Sequence, residues 1–172
     1  MWNGKGYNKD GNLEFEIKNG NGKIKEYRYY DDNLLFEAEY VNGERNGKGK
    51  EYNYGKLIFE GEYQNGKKNG KGKEYKDNKL IFEGEFLNGE RWNGKIKEKI
   101  FEGEYLNGKL HGTVKEYYIG GNLKFEGEYL NGKRNGKGKE YDYDGELIFE
   151  GEYLNGRKWN GNEEESYESD GL

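Results

Sequence analysis

The chain has 172 residues, 37% charged and 31% hydrophobic, with 30 glycines and a formal net charge of −5 from finely interspersed Lys, Arg, Asp and Glu. This composition excludes a thick aliphatic core, and the lack of cysteine excludes disulfides and thiolate metal sites. The 17 Tyr, 8 Phe and 3 Trp argue against a disordered chain, because each packed ring buries about 150–250 Å². No apolar run approaches the ~20 residues of a membrane-spanning helix. The opening residues lack the apolar segment of a signal peptide, so a cytoplasmic location is the expectation.

Taken in chain order, the first element, Trp2-Asn3-Gly4-Lys5-Gly6, reads as the second half of a phrase that then recurs along the chain. Its marker is a Phe-Glu pair, at Phe15, Phe36, Phe59, Phe82, Phe101, Phe125 and Phe149, separated by 21, 23, 23, 19, 24 and 24 residues. A period in this range is the mark of a repeat array. Within one unit, Leu57-Ile58-Phe59-Glu60-Gly61-Glu62-Tyr63 alternates apolar and charged residues with the period of a strand packed on one face. Asn65-Gly66 follows as a hairpin turn signal, since both residues tolerate positive φ. The strand Lys71-Gly72-Lys73-Glu74-Tyr75 then returns, and a second turn at Asp77-Asn78 leads to the next unit. Cross-strand pairing would set Glu60 and Glu62 beside Lys71 and Lys73, at about 0.2–1 kcal/mol per pair. Two strands per unit advance the sheet roughly 10 Å per repeat, and the array about 70 Å.

Three features interrupt the regularity. Strict alternation in the returning strand puts Lys71, Lys73 and Tyr75 on one face and Glu74 on the other; an inward Tyr75 would require a bulge. The unit from Phe82 to Phe101 is short, which predicts an irregular turn and a kink near residues 92–100. Residues 162–172, with Glu163-Glu164-Glu165 in place of lysines, read as a degenerate acidic cap or an acidic tail.

The chemistry of catalysis is missing. The single histidine, His111, replaces a turn asparagine and reads as a surface residue. The repeated carboxylates face lysines, and the Gly-Lys-Gly-Lys strings lack the spacing and hydroxyl of a phosphate loop. No cofactor, metal or nucleic acid is expected. Two surfaces are candidates for binding. One is a basic turn edge of Arg45, Lys48, Lys67, Lys68, Lys71, Lys109, Lys133, Arg134 and Lys137, which either keeps an edge soluble or meets an acidic protein or anionic headgroups. The opposite turn edge is acidic, with Asp31, Asp32, Asp77, Asp142 and Asp144. The other candidate is an aromatic face of Phe59, Tyr63, Phe82, Phe86, Phe101, Tyr105, Phe125, Tyr129, Phe149 and Tyr153. It is either the core of the fold or a groove for a peptide, a helix or a sugar. Glycines at Gly61, Gly84, Gly103, Gly127 and Gly151 leave slots on that face for rings of neighbouring strands.

The run Phe125-Glu126-Gly127-Glu128-Tyr129-x-Asn131-Gly132-x-x-Asn135-Gly136-x-Gly138, with Asp144-Gly145 after it, resembles the MORN repeat, and the resemblance covers almost the whole chain. It is also similar to the variant MORN repeats of antitoxin-like proteins. The resemblance implies an all-β, elongated, single-layer antiparallel meander of tandem β-hairpins, twisted into a rod. It further implies a non-catalytic scaffold for an unidentified protein partner, or a peripheral module that binds anionic lipid headgroups through the lysine-rich edge. Tyr52, Tyr75 and Tyr141 come one residue later than the commonest spacing of that repeat. The strand edge around Trp2, Lys5 and Tyr7 predicts a homodimer by edge pairing.

Overall fold

A computed structural model describes residues 3–7, 10–28, 30 and 33–163. The described residues contain strands and turns and no helix. The strands are β1 (Gly4–Tyr7), β2 (Leu13–Lys18), β3 (Asn21–Tyr27), β4 (Leu34–Val41), β5 (Glu44–Asn53), β6 (Lys56–Gln64), β7 (Lys67–Lys76) and β8 (Lys79–Leu87). They continue as β9 (Glu90–Lys97), β10 (Phe101–Leu106), β11 (Lys109–Tyr117), β12 (Leu123–Leu130), β13 (Lys133–Tyr141), β14 (Leu147–Leu154) and β15 (Arg157–Glu163). All belong to one open antiparallel sheet in which spatial order equals chain order. Two compact units divide between Trp92 and Asn93.

The Asn-Gly dipeptides fold as the expected tight hairpin turns. Asn65 and Gly66 have φ of 50° and 77°, and the same pair of positive angles recurs at Asn19-Gly20, Asn42-Gly43, Asn88-Gly89, Asn107-Gly108, Asn131-Gly132 and Asn155-Gly156. Two positive φ values define the type I′ turn, whose twist matches that of the flanking strands. Five of these turns, at Gly43, Gly66, Gly89, Gly132 and Gly156, are also tied through the glycine N–H to the repeat before. The Gly66 N–H donates to Arg45 O at 2.9 Å, Gly89 to Lys68 O at 2.9 Å and Gly156 to Arg134 O at 2.8 Å. A second tie comes from the next asparagine in the phrase. Asn88 N–H donates to Asn69 Oδ1 at 3.3 Å, Asn107 to Asn93 Oδ1 at 2.9 Å and Asn155 to Asn135 Oδ1 at 3.2 Å. His111 holds that place before the Asn131 turn and makes no such bond among the described residues. It is not in a turn, as its spacing suggested, but on β11 opposite Glu104. The turn has already closed at Asn107-Gly108.

Two bulges recur along the array, and the first of them shifts the face parity of its strand. Glu74 pairs with Phe82 but Tyr75 pairs with Leu80, so Ile81 is an extra residue on β8. The same shift occurs at Ile58 on β6 and Ile148 on β14. It carries Leu57 into register with Tyr52, away from the aromatic row in which simple alternation had placed it. Tyr75 does not pack inward: its hydroxyl donates to Glu60 Oε1 at 2.7 Å, on the charged face with Lys71 and Lys73. Glu74 takes the aromatic face instead. The second bulge lies between Gly61↔Gly72 and Tyr63↔Lys68, where Glu62 opposes three residues. Gly70 sits there with φ of 104°, and a Cβ on it would lie 2.1 Å from Glu62 Oε2. The same carboxylate oxygen accepts the Lys71 N–H at 3.1 Å.

The core is a zigzag of rings. In the first unit, edge-to-face contacts run from Phe36 to Tyr63 at 5.4 Å, Tyr63 to Phe59 at 5.6 Å, Phe59 to Phe86 at 5.2 Å and Phe86 to Phe82 at 5.2 Å. In the second, Phe125 meets Tyr129 at 6.0 Å and Tyr153 at 5.4 Å, and Tyr153 meets Phe149 at 5.3 Å. Each such pair adds about 0.5–1.5 kcal/mol to the burial of the rings. Glycine makes room for them: a Cβ on Gly72 would lie 2.8 Å from the Phe59 ring and 3.0 Å from that of Phe86. Where the returning strand instead carries Ile24, Ile96 or Val114, the aliphatic side chain is itself buried in that slot.

The short unit reverses over Glu98–Ile100, between β9 and β10. The Glu98 N–H donates to Phe101 O at 2.7 Å, and β10 then pairs back on β9 with Gly103 opposite Ile96. Trp2, Asp31, Asp32 and residues 164–172 lie outside the described residues, and with them most of the acidic C-terminal segment.

Candidate interaction surfaces

The residues read in sequence as one basic edge fall into three environments. Arg45, Lys68 and Arg134 lie on the aromatic face, each over a ring: Arg45 Cζ is 3.6 Å from the Phe36 centroid, Lys68 Nζ 4.1 Å from Phe59 and Arg134 Cζ 3.9 Å from Phe125. Two residues absent from the sequence reading do the same, Arg91 over Phe82 at 5.1 Å and Lys158 over Phe149 at 4.4 Å. Lys48, Lys71 and Lys137 are exposed on the opposite, charged face. Lys67, Lys109 and Lys133 are exposed at the ends of strands beside the Asn-Gly turns.

The cations over the rings are held by the glutamate that displaces tyrosine from its commonest place. Lys68 Nζ lies 3.2 Å from Glu51 and 3.5 Å from Glu74, and Arg91 Nε is 2.6 Å from Glu74. Arg134 Nε reaches Glu116 at 2.8 Å, and its Nη1 bonds Glu140. Two tyrosines of the ring row donate to the same carboxylates, Tyr63 to Glu51 at 2.7 Å and Tyr129 to Glu116 at 2.5 Å. Burial, joined by the Glu116 carboxylate, pushes the Tyr129 hydroxyl up to about 12. Burial by itself would raise Glu116, but hydrogen bonds from Arg134 and Tyr129 hold it below the ordinary carboxylate range. Burial likewise disfavours the Arg134 cation, yet the bond to Glu116 outweighs it and leaves the guanidinium more firmly protonated than usual. Charges so engaged are held inside the fold's own cover and do not present themselves to a ligand.

The aromatic row itself is mostly core. Phe59, Tyr63, Phe82, Phe86, Phe125, Phe149 and Tyr153 are buried, while Phe101, Tyr105 and Tyr129 are half-buried. Phe101 and Tyr105 belong to the hairpin in which Val114 occupies the glycine slot. A branched side chain there takes the space that a ring fills elsewhere.

The opposite face is striped by charge, one sign to a strand. In the first unit β4 presents Glu37 and Glu39, β5 Lys48 and Lys50, β6 Glu60 and Glu62, β7 Lys71 and Lys73, and β8 Glu83 and Glu85. A shallow groove of about 690 Å³ runs across these strands between the two rows of side chains. Ion pairs cross it from Lys23 to Glu37 at 2.7 Å, Lys50 to Glu60 at 3.6 Å and Lys73 to Glu83 at 3.1 Å. Exposed pairs of this kind contribute about 0–1 kcal/mol each, so they order the face more than they stabilise it. Among the described residues no three His, Cys, Asp or Glu side chains converge as a metal site. Among the described residues no helix is long and apolar enough to cross a membrane.

Four segments, residues 36–53, 59–79, 101–121 and 125–146, match the family model of the MORN repeat. Each begins at the phenylalanine of a hairpin and extends to the end of the returning strand, and the last three continue into the following turn. The hairpins that start at Phe82 and Phe149 have the same strand–turn–strand construction. No curated protein matches the chain.

Proposed function

We propose that this chain, which belongs to the MORN-repeat family, is a non-catalytic scaffold that holds a protein partner on its charged strand face and the adjoining turn edge. MORN repeats are a repeat type associated with scaffolding in protein and membrane interactions, and the finer assignment here rests on charge. The supporting observation is the alternation of sign from strand to strand. An anionic bilayer is attracted by every lysine stripe and repelled by the glutamate stripes on either side, within the ~10 Å Debye length. A protein partner can place its own charges against both. The rival assignment, lipid binding through the basic edge, has lost Arg45, Lys68 and Arg134 to internal carboxylates.

Two measurements test the reading. Co-sedimentation with phosphatidylserine vesicles is expected to stay at background from low to physiological salt. Affinity enrichment from the source is expected to retain a protein that Lys48→Glu/Lys71→Glu or a turn-edge variant releases. Salt-sensitive sedimentation with vesicles would transfer the assignment to the lipid module.

A further inference from the structure

In the second unit the charged face ends, at the Asn-Gly turns, in a row of alternating apolar and cationic side chains. Leu106 pairs with Lys109, Leu130 with Lys133 and Leu154 with Arg157, each the last cross-strand pair before its turn. The leucines are 45%, 46% and 46% exposed, far more than the core residues. The three cations are exposed, and none pairs with a carboxylate among the described residues. This row is not a general property of the repeat. The corresponding pairs of the first unit include Val41 with Glu44 and Gln64 with Lys67, which mix sign and polarity.

Successive Leu–cation pairs are two strands apart, which at ~4.8 Å per strand is about 9.6 Å. Seven residues of an α-helix rise about 10.5 Å. A helix laid across the strand ends therefore returns the same side to each successive pair. The mismatch, about 2 Å over the whole row, is within the reach of leucine and lysine side chains. We infer that this edge docks an acidic amphipathic α-helix of a partner protein, with an apolar residue at every seventh position over Leu106, Leu130 and Leu154 and carboxylates beside Lys109, Lys133 and Arg157. This is the helix-on-groove mode of recognition, with anchors at heptad spacing.

A narrow occupant fits better than a membrane. More than half of each leucine is already covered, so it has little to insert into a bilayer. One row inward, on the same strands, stand the exposed Glu104, Glu128 and Glu152, which an anionic surface would meet at once. A helix about 10 Å wide can lie outside them.

The inference rests on the scaffold reading and names its surface, and the test separates the two. The probe is a synthetic helical peptide of about three heptads, with leucine at every seventh position and glutamates beside each. Binding to the full chain is followed by fluorescence anisotropy. Binding in the micromolar range is expected, weakening with salt. It is expected to fall at least ~10-fold, about 1.4 kcal/mol, in Leu130→Ser and in Lys109→Glu/Lys133→Glu. These positions are exposed, so the variants should melt like the parent chain. A peptide of the same composition in scrambled order, and one with lysines for glutamates, should bind at least ~10-fold more weakly. Equal binding of the scrambled peptide, or no binding of the matched one, overturns the inference. A native partner released by Lys48→Glu/Lys71→Glu but not by Leu130→Ser also overturns it and leaves the scaffold reading standing. Vesicle binding that Lys109→Glu/Lys133→Glu abolishes overturns both.

Discussion

Replacing Arg134 by alanine removes three contacts at once. Its guanidinium stacks 3.9 Å from the Phe125 centroid, bonds Glu116 at 2.8 Å and bonds Glu140, and its side chain is only 18% exposed. The carboxylates it leaves are 13% and 19% exposed, so water reaches them poorly. Lys158 lies 3.2 Å from Glu140 and offsets part of the loss there. Glu116 keeps only the Tyr129 hydroxyl. Stacking on a partly desolvated ring is worth about 1–2 kcal/mol, and a hydrogen bond to a charged group about 1.5–3 kcal/mol. These terms overlap and some solvent enters, so the expected loss is about 2–4 kcal/mol. In a unit of this size that lowers the midpoint by roughly 8–25 °C. The neighbouring Lys133→Ala, exposed and unpaired, is the control and should change stability by less than about 0.5 kcal/mol. Urea unfolding should be followed by tyrosine fluorescence and by far-ultraviolet circular dichroism, because an array can lose its two-state behaviour. A double-mutant cycle of Arg134→Met with Glu116→Gln isolates the ion pair. If Arg134→Ala and Lys133→Ala prove equally mild, the covering cation contributes nothing and the account of the basic residues is wrong.

Three further outcomes follow from the same geometry. Gly72→Ala puts a Cβ 2.8 Å from the Phe59 ring and should destabilise by about 1–3 kcal/mol, whereas Gly89→Ala, with open space at its turn, should suffer only from its positive φ; chemical denaturation of both separates crowding from backbone strain. His111→Asn should restore the missing tie to the Asn131 N–H and stabilise by about 0.5–1.5 kcal/mol, seen as slower amide exchange at Asn131. The pH dependence has two limbs. Glu116 is lowered on folding, so its contribution is present above the ordinary value of 4.5 and is lost as pH falls through the folded value; Glu116→Gln should flatten that acid limb. Tyr129 is raised from 10.0 to about 12, so its contribution is present below pH 10 and is lost as pH rises through about 12; ultraviolet titration of the tyrosines should show the core hydroxyls ionising together with unfolding, and Tyr129→Phe should shift that limb.

What the sequence by itself determined is local. The Asn-Gly pairs dictate type I′ turns wherever they occur, because only two residues and their tolerance of positive φ are involved. Alternation between Phe59 and Tyr63 dictates a strand with an aromatic face, and the recurrence of the phrase dictates neighbours for it. The meander and its ring-packed core were therefore legible in the residues. The fate of the cations was not. Lys67, Lys68 and Lys71 are near neighbours in the chain, yet one stands at the turn edge, one lies over a phenylalanine and one stands on the charged face. The strand's alternation separates the first two. Alternation also returns Lys71 to the charged face, because the bulge sets three residues of β7 against Glu62 and leaves the parity of the strand unchanged; there the Glu62 carboxylate closes on the Lys71 N–H over Gly70. The tertiary structure decided for strict alternation in β7: Glu74 enters the aromatic face and holds Arg91, two strands on, leaving Tyr75 outside. The side-chain period along β7 offered this arrangement as one of two, and the choice between them was made by partners about fifteen residues away in the chain, Glu60 for Tyr75 and Arg91 for Glu74.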